Sequence, residues 1–203
     1  ADKMSNNLEK QVKFLLEVDK MKNILRQTLK ISDRSREDDA EHSWHFALMA
    51  FVLSEYASEG VDINRVIKMA LVHDLVEIYA GDTYAYDIES NKSKAEREKA
   101  SADKLFSILP EEQGREIRDL WEEFDAEQTP DACFAAAIDR LQPMLNNYYT
   151  DGQSWKSHKV ASASVYKRME PIRRASEELW RFAASLVDDA VKKEWLIDNG
   201  KEL

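Results

Sequence analysis

Helical periodicity with few helix-breaking residues constrains the fold of this chain more than any other feature. Apolar residues recur three and four positions apart over long stretches, which is typical of amphipathic helices. Only five glycines and four prolines occur in 203 residues, and 43% of the residues are hydrophobic. Good helix formers such as Ala, Leu, Glu and Lys dominate long stretches. The sequence therefore predicts an all-α protein and, because no linker or repeat stands out, a single domain over residues 1–203.

Capping residues divide the chain into a series of predicted helices. Asp38 and Glu41 have the spacing of a capping box, and Thr129-Pro130 is typical of a cap followed by a first turn. Helices are expected at residues 8–29, 38–58, 62–79, 93–109, 110–125, 129–149 and 176–197, with an interrupted segment at 150–175. The second helix is predicted to bury a face that carries Trp44, Ala47, Leu48, Phe51 and Val52.

The segment KMALVHDLVEIYAGD, residues 68–82, places His73, Asp74 and Glu77 in an otherwise apolar helix. Positions three and four apart share a helix face, so Glu77 is expected to lie near both of the other residues. An unpaired carboxylate in a protein interior is strongly unfavourable, and proteins avoid it by pairing, protonation or metal binding. These three residues therefore predict a common partner, and a metal ion is the simplest one.

The other ligands of such a metal must come from elsewhere in the chain, which has only four histidines. His42, His45 and His158 are the remaining candidates for a nitrogen ligand, and His42 begins the amphipathic segment HSWHFALMA. Asp139 interrupts the apolar face of FAAAIDRLQPMLNNY and is a candidate carboxylate. A site with two imidazoles and two carboxylates suits Mn, Co, Fe, Ni or Zn better than Ca.

Composition excludes several classes of partner. The net charge of −10 disfavours a nucleic-acid polymer, which is bound through clustered Lys and Arg. No apolar run approaches the roughly 20 residues of a membrane span, and the polar start of the chain lacks the apolar core of a signal peptide. A single cysteine, Cys133, excludes an internal disulfide and fits a reducing cytoplasm. We therefore expect a cytoplasmic protein with no membrane partner.

The order of these motifs resembles that of the HD-domain metal-dependent phosphohydrolases. A His, then a His-Asp pair, then an Asp occur on separate predicted helices. The segments DAEHSWHFALMA, ALVHDLVEIYAGDT and AIDRLQPMLNN, with LRQT upstream, are similar to the branch related to 5′-deoxynucleotidases. The resemblance runs from about residue 14 to residue 195. It implies a compact orthogonal bundle of helices, usually a homodimer.

Each site residue is carried over from that resemblance at the matching position. The resemblance implies one divalent metal ion, with the ligands His42, His73, Asp74 and Asp139. It also implies Glu77 and Asp82 as catalytic carboxylates, whose roles the sequence does not divide, and Arg26 as the residue that faces the substrate phosphate. Gln27 follows Arg26 where the best-known bacterial nucleotidases have a tryptophan that packs on the sugar, so the sugar preference stays open.

The function expected from this resemblance is removal of phosphate from (deoxy)nucleoside 5′-monophosphates by metal-activated water. One alternative is other chemistry of the same family, namely alarmone pyrophosphate removal or nucleotide phosphodiester cleavage. A second alternative is a non-catalytic helical module that binds a metal or a nucleotide. Retention of both Glu77 and Asp82 favours an enzyme, because binding alone needs no carboxylate over the metal.

Overall fold

The computed structural model describes the backbone of residues 2–200 and the side chains of residues 6–200. The first part of the chain forms α1 (Asp2–Val18), β1 (Leu25–Leu29), β2 (Arg36–Asp38), α2 (Asp39–Val52), α3 (Ile63–Val72) and α4 (Glu77–Ala80). The second part forms α5 (Ile88–Asn91), α6 (Lys94–Phe106), α7 (Glu111–Ala126), α8 (Pro130–Tyr149), α9 (Gln153–Ser157), α10 (Ser162–Arg168), α11 (Glu170–Ala175) and α12 (Glu177–Lys192). This architecture confirms the predicted all-α class, apart from one short hairpin.

Helix α8 lies at the centre of the bundle and supplies much of its core. It packs against α2, α3, α7, α11 and α12. Its Ala-rich sequence lets these neighbours approach closely, and Ala135, Ala137 and Ile138 are fully buried. The predicted cap is confirmed, because the Thr129 hydroxyl accepts a hydrogen bond from the amide of Ala132 at 3.1 Å. Among residues 2–200, no helix combines the length and the apolar character needed to cross a membrane.

The predicted helix over residues 8–29 is wrong in its second half. Helix α1 ends at Val18, a short 3-10 helix follows over Asp19–Asn23, and β1 then pairs with β2 in an antiparallel hairpin. The guanidinium of Arg36 donates to the carbonyls of Arg26 and Leu25 at 2.6 and 2.8 Å. These partners lie across the hairpin and outside the local sequence window, so helical spacing alone could not reveal the strand.

The predicted helix over residues 62–79 is interrupted at the His-Asp pair. The carbonyl of Ala70, which would accept from the amide of Asp74 in a continuous α-helix, accepts from His73 Nδ1 at 2.8 Å. The amides of Leu75 and Glu77 bond to carbonyls three residues earlier, as in a 3-10 turn. Glu77 therefore begins α4, a separate short helix. The break turns the chain where the predicted ligands lie.

Helix α2 begins as predicted but ends early and presents a different face to the core. Asp38 and Glu41 form the expected capping box. The helix ends at Val52 and not near residue 58, and its buried face carries His42, Phe46 and Ala50. The face predicted to be buried is largely exposed, including Trp44, Leu48, Phe51 and Val52. The segment is apolar on both faces, so its periodicity did not identify the inner one.

Candidate metal centre and cavity

Four of the predicted ligands meet in the core at the junction of α2, α3 and α8. His42 Nε2 lies 3.0 Å from Asp139 Oδ1 and 3.3 Å from His73 Nε2. His73 Nε2 lies 3.1 Å from Asp74 Oδ2 and 3.4 Å from Asp139 Oδ1. His42 Nε2 and Asp74 Oδ2 are 3.7 Å apart. His42, His73 and Asp139 therefore direct one atom each at a common centre, and Asp74 lies beside it, close to both imidazoles.

Hydrogen bonds on the far side of both imidazoles hold these nitrogens in place. His42 Nδ1 lies 2.7 Å from the Gln142 side-chain oxygen, and His73 Nδ1 lies 2.8 Å from the carbonyl of Ala70. Both partners are acceptors, so Nδ1 donates a hydrogen bond in each ring and Nε2 is the nitrogen that faces the common centre. Such orienting hydrogen bonds are typical of metal-binding histidines.

The spacing of these atoms fits a transition-metal ion. A metal with bonds of about 2.1 Å holds neighbouring ligand atoms about 3.0–3.4 Å apart in octahedral or tetrahedral geometry. Four of the five measured distances, 3.0 to 3.4 Å, match that range, and the distance from His42 to Asp74 is longer at 3.7 Å. Burial lowers the pKa of His73, but the charges and hydrogen bonds of Asp74 and Asp139 outweigh it and raise the pKa to about 10. The cluster therefore favours a positive charge at its centre, which a bound divalent metal supplies in place of protons.

A second group of carboxylates, Asp39, Asp74 and Glu77, adjoins the first through Asp74. Asp39 is fully buried and Glu77 is 4% exposed, yet Asp39 Oδ2 and Glu77 Oε2 accept no hydrogen bond from an amide, hydroxyl or basic group among residues 6–200. Burial raises the pKa of Asp39 to about 7 and raises that of Glu77 well above its usual range, and the negative charge of Asp74 adds to both shifts. These oxygens are available for a proton, water or a cation.

Arg26 extends from β1 between the two groups. Its Nη1 lies 3.1 Å from Asp74 Oδ2 and 3.4 Å from Asp39 Oδ1, and its Nε lies 3.5 Å from Glu37 Oε2. Burial lowers the pKa of Arg26, but the charges of Asp74 and Asp39 outweigh it and keep the side chain positively charged. Arg26 therefore offsets much of the negative charge of the acidic group.

Asp82 lies at the rim of the same cavity, where Gly81 ends α4. Gly81 has φ 81° and ψ 154°, a conformation essentially restricted to glycine. Burial raises the pKa of Asp82, and the nearby charge of Arg26 opposes that shift. The turn at Gly81 thereby sets Asp82 among the carboxylates around Arg26.

An open cavity of about 140 Å³ lies over this site. Its walls include six of the seven predicted site residues: Arg26, His73, Asp74, Glu77, Asp82 and Asp139. His42 lies behind them and is fully buried.

Sequence reasoning missed three residues that hold the site together. Gln142 donates to Glu37 Oε1 at 2.6 Å while it accepts from His42, so it links a ligand to a buried carboxylate. Glu37 is 2% exposed, although it occurs in the charged run SREDD. Asp39 precedes His42 by three residues, and Gln142 follows Asp139 by three. A spacing of three residues places Asp39 and Gln142 on the same helix face as a predicted ligand. This spacing is the sequence pattern from which both residues could have been predicted.

The fold and the cluster define a helical protein with a mixed imidazole and carboxylate metal centre. The family model for the HD domain matches residues 18–180. The chain therefore belongs to the HD-domain family.

Solved structures resemble the chain over nearly its whole length. A structure from Magnetospirillum magnetotacticum, described as a predicted metal-dependent phosphohydrolase, has a TM-score of 0.91 and 49% identity, and the match covers 95% of this chain and 96% of that one. An HD-domain phosphohydrolase from Listeria innocua has a TM-score of 0.61 at 18% identity over 91% and 90% of the two chains, a likeness in fold alone.

Curated relatives match a shorter region. The 5′-deoxynucleotidase HDDC2 of Bos taurus is 30% identical over 109 residues, which are 54% of this chain and 52% of that protein. The protein of the same name from Dictyostelium discoideum is 31% identical over 122 residues, 58% and 64% of the two chains. The chain thus spans about half the length of the first of these relatives.

Proposed function

We propose that residues 1–203 form a single divalent-metal-dependent phosphohydrolase domain that acts on nucleoside 5′-monophosphates, including deoxy forms. The observation that carries this proposal is the convergence of two Nε2 atoms and two carboxylates beneath an open cavity that Arg26 also lines. The names of the curated relatives and of the Magnetospirillum structure support the same activity. The reaction consumes one water and yields a nucleoside and inorganic phosphate.

In this proposal His42, His73, Asp74 and Asp139 hold the metal. When bound, a divalent metal ion polarises the phosphate and lowers the pKa of water at the site. Arg26 contacts carboxylates through Nη1 and Nε, and its Nη2 has no hydrogen-bond partner among residues 6–200. We assign that free edge to an oxygen of the substrate phosphate, which a planar guanidinium binds well.

Glu77 and Asp82 carry the proton transfers in this mechanism. One carboxyl accepts a proton from the attacking water, and the other donates a proton to the leaving 5′-oxygen of the nucleoside. Both pKa values are raised by burial, which suits groups that must hold a proton during the reaction. No amide, hydroxyl or basic group among residues 6–200 donates to Oε2 of Glu77, which leaves this atom free to contact the attacking water.

Phosphate release after metal exchange tests this function. The protein is stripped with EDTA, reloaded with Mn, Co, Fe, Ni, Zn or Mg, and assayed on a panel of ribonucleoside and deoxyribonucleoside 5′-monophosphates. We expect release with at least one transition metal and none without metal. Absence of metal-dependent release from every nucleotide would overturn the proposal. A phosphodiester and a guanosine alarmone in the same panel test the alternative chemistries, and the panel also decides the sugar preference.

We further propose that the chain forms a homodimer through the exposed apolar face of α2. Trp44, Leu48, Phe51 and Val52 recur along one side of the helix and are 42–64% exposed. Exposed apolar patches of this kind mark interaction surfaces. A two-fold interface brings the same patch of both copies together, so a single apolar helix face is sufficient to form it.

Sedimentation of a Trp44→Glu/Phe51→Glu variant tests the dimer. We expect a dimer for the unmodified protein and a folded monomer for the variant. Leu71→Glu, at an apolar position on α3 that is 53% exposed, is the matched control and should stay dimeric. A monomeric unmodified protein would refute the proposal.

The expected cytoplasmic location remains a prediction, which cell fractionation tests.

A further inference from the structure

A second cavity adjoins the one over the metal centre, and Arg140 and Arg168 line both. Arg140 extends from α8, one residue after the ligand Asp139, and Arg168 ends α10. Lys167 lines the outer cavity only. The two guanidinium groups therefore mark the junction between the metal centre and a second recess.

The two arginines differ in their partners. Arg140 pairs with Asp139 and lies 3.1 Å from Glu127 Oε1. Arg168 has no hydrogen bond or ion pair among residues 6–200. Its side chain is exposed in the cavity wall, where a ligand can reach it. Glu127 does not neutralise Arg168, because its other oxygen binds Arg174 at 2.6 Å.

The junction is a positive region in an otherwise acidic protein. The outer cavity is lined by three basic residues, Arg140, Lys167 and Arg168, and among the described residues by one carboxylate, Glu127. The chain as a whole has a net charge of −10. Two neighbouring cations, of which one lacks a counter-ion, attract an anion, and such local fields raise anion concentration in a cleft.

We propose that Arg140 and Arg168 form a second phosphate subsite, separate from the phosphate at the metal centre. Guanidinium groups bind phosphate oxygens through two parallel hydrogen bonds, and a pair of them matches a dianion. The phosphate belongs either to a second phosphoryl group on the nucleotide substrate or to free inorganic phosphate. The first case rests on the proposed function and extends its substrate class to nucleotides with two phosphates.

Kinetics on singly and doubly phosphorylated nucleotides test the substrate source. A nucleoside 5′-monophosphate, its 5′-diphosphate and its 3′,5′-bisphosphate are compared with the Mn-loaded protein, Arg168→Gln, Arg168→Lys and Arg173→Gln. Arg173 is the matched control, because it lines neither cavity and carries the same charge. For a doubly phosphorylated substrate we expect Arg168→Gln to raise KM about 10-fold, the effect of one charge-assisted contact. KM for the monophosphate, and kcat, should change little, and Arg168→Lys should recover part of the loss.

Calorimetric titration of the Mn-loaded proteins with inorganic phosphate tests the free-phosphate source without relying on turnover. Two phosphate sites in the unmodified protein and in Arg173→Gln, but one in Arg168→Gln, would establish the subsite even if no nucleotide were hydrolysed. The proposal is overturned if Arg168→Gln matches Arg173→Gln in both the KM values and the phosphate stoichiometry. Failure of the proposed function is a separate result, namely absence of metal-dependent phosphate release by the unmodified protein.

Discussion

Two groups of ionisable residues lie in or directly behind the wall of the cavity, and they differ in how their polar atoms are partnered. In the group His42, His73 and Asp139, each side chain has a contact behind the centre: Gln142, the Ala70 carbonyl and Arg140, respectively. In the group Asp39, Asp74 and Glu77, two buried oxygens accept no hydrogen bond from an amide, hydroxyl or basic group among residues 6–200. Asp74 connects this group to the first one, since its Oδ2 lies 3.1 Å from His73 Nε2.

We expect this difference to separate a rigid set of metal ligands from the carboxylates that we propose take part in the reaction. Ligands that are oriented from behind keep their geometry when a metal leaves or binds, which reduces the free energy spent on ordering. Carboxylates that are buried without partners have perturbed pKa values, which is typical of acid and base groups. Variants of each group should therefore fail in different ways.

The largest effect is expected from Asp139→Ala, which breaks the ligand set. Loss of a side chain that binds the metal directly should lower the metal content sharply and reduce kcat/KM by more than about 100-fold. This loss exceeds the range of about 10- to 100-fold seen for residues that only orient ligands. Elemental analysis and phosphate release measure the two effects. Asp119→Ala, at an exposed position on α7, should change neither. Unchanged metal content would remove Asp139 from the ligand set.

Glu77→Gln tests the carboxylates that we propose take part in the reaction. The amide keeps the size of the side chain but cannot accept a proton, so kcat should fall by about 10²- to 10⁴-fold while metal content is retained. Glu178→Gln, at an exposed position on α12, is the control. A fully active Glu77→Gln would contradict the catalytic assignment. Loss of metal together with activity would instead place Glu77 among the ligands.

Gln142→Ala probes the contacts behind the ligand set. The variant leaves His42 Nδ1 and the buried Glu37 without their shared partner, so metal affinity should fall by about 10- to 100-fold. Competition with a chelator measures the affinity. Gln153→Ala, at an exposed position on α9, should match the unmodified protein. Equal affinities in the two variants would show that the Gln142 contact does not orient His42.

The smallest effect is expected from Gly81→Ala, which tests the turn before Asp82. A Cβ at this position meets no atom within 4 Å, so the strain is one of backbone conformation, about 1–3 kcal/mol. Gly60→Ala is a matched control, because Gly60 also has a positive φ and open space around it. Both variants should lose thermal stability, and only Gly81→Ala should lose activity. Equal activity in both would show that Asp82 does not depend on this turn.

The sequence identified the four residues that we propose as metal ligands, but it did not identify the buried residues that hold them in place. His42, His73, Asp74 and Asp139 stood out because each is polar within an apolar helical segment, and the structure brings all four together. Glu37 and Asp39 were hidden in a charged run, SREDD, that has the composition of a solvated loop. Their burial follows from the pairing of β2 with β1 and from contacts with Arg26 and Gln142, which lie far away in sequence.

By itself the sequence determined the helical class, the caps of α2 and α8, and the residue types at the metal centre. These properties depend on local hydrogen bonds and on the period of apolar residues, which are read within a few turns of chain. Only the tertiary structure decided the strand that carries Arg26, the break in the helix at His73, and which face of α2 is buried. Each of those depends on a partner far along the chain or on a side chain competing for a backbone carbonyl. Local periodicity contains no information about either.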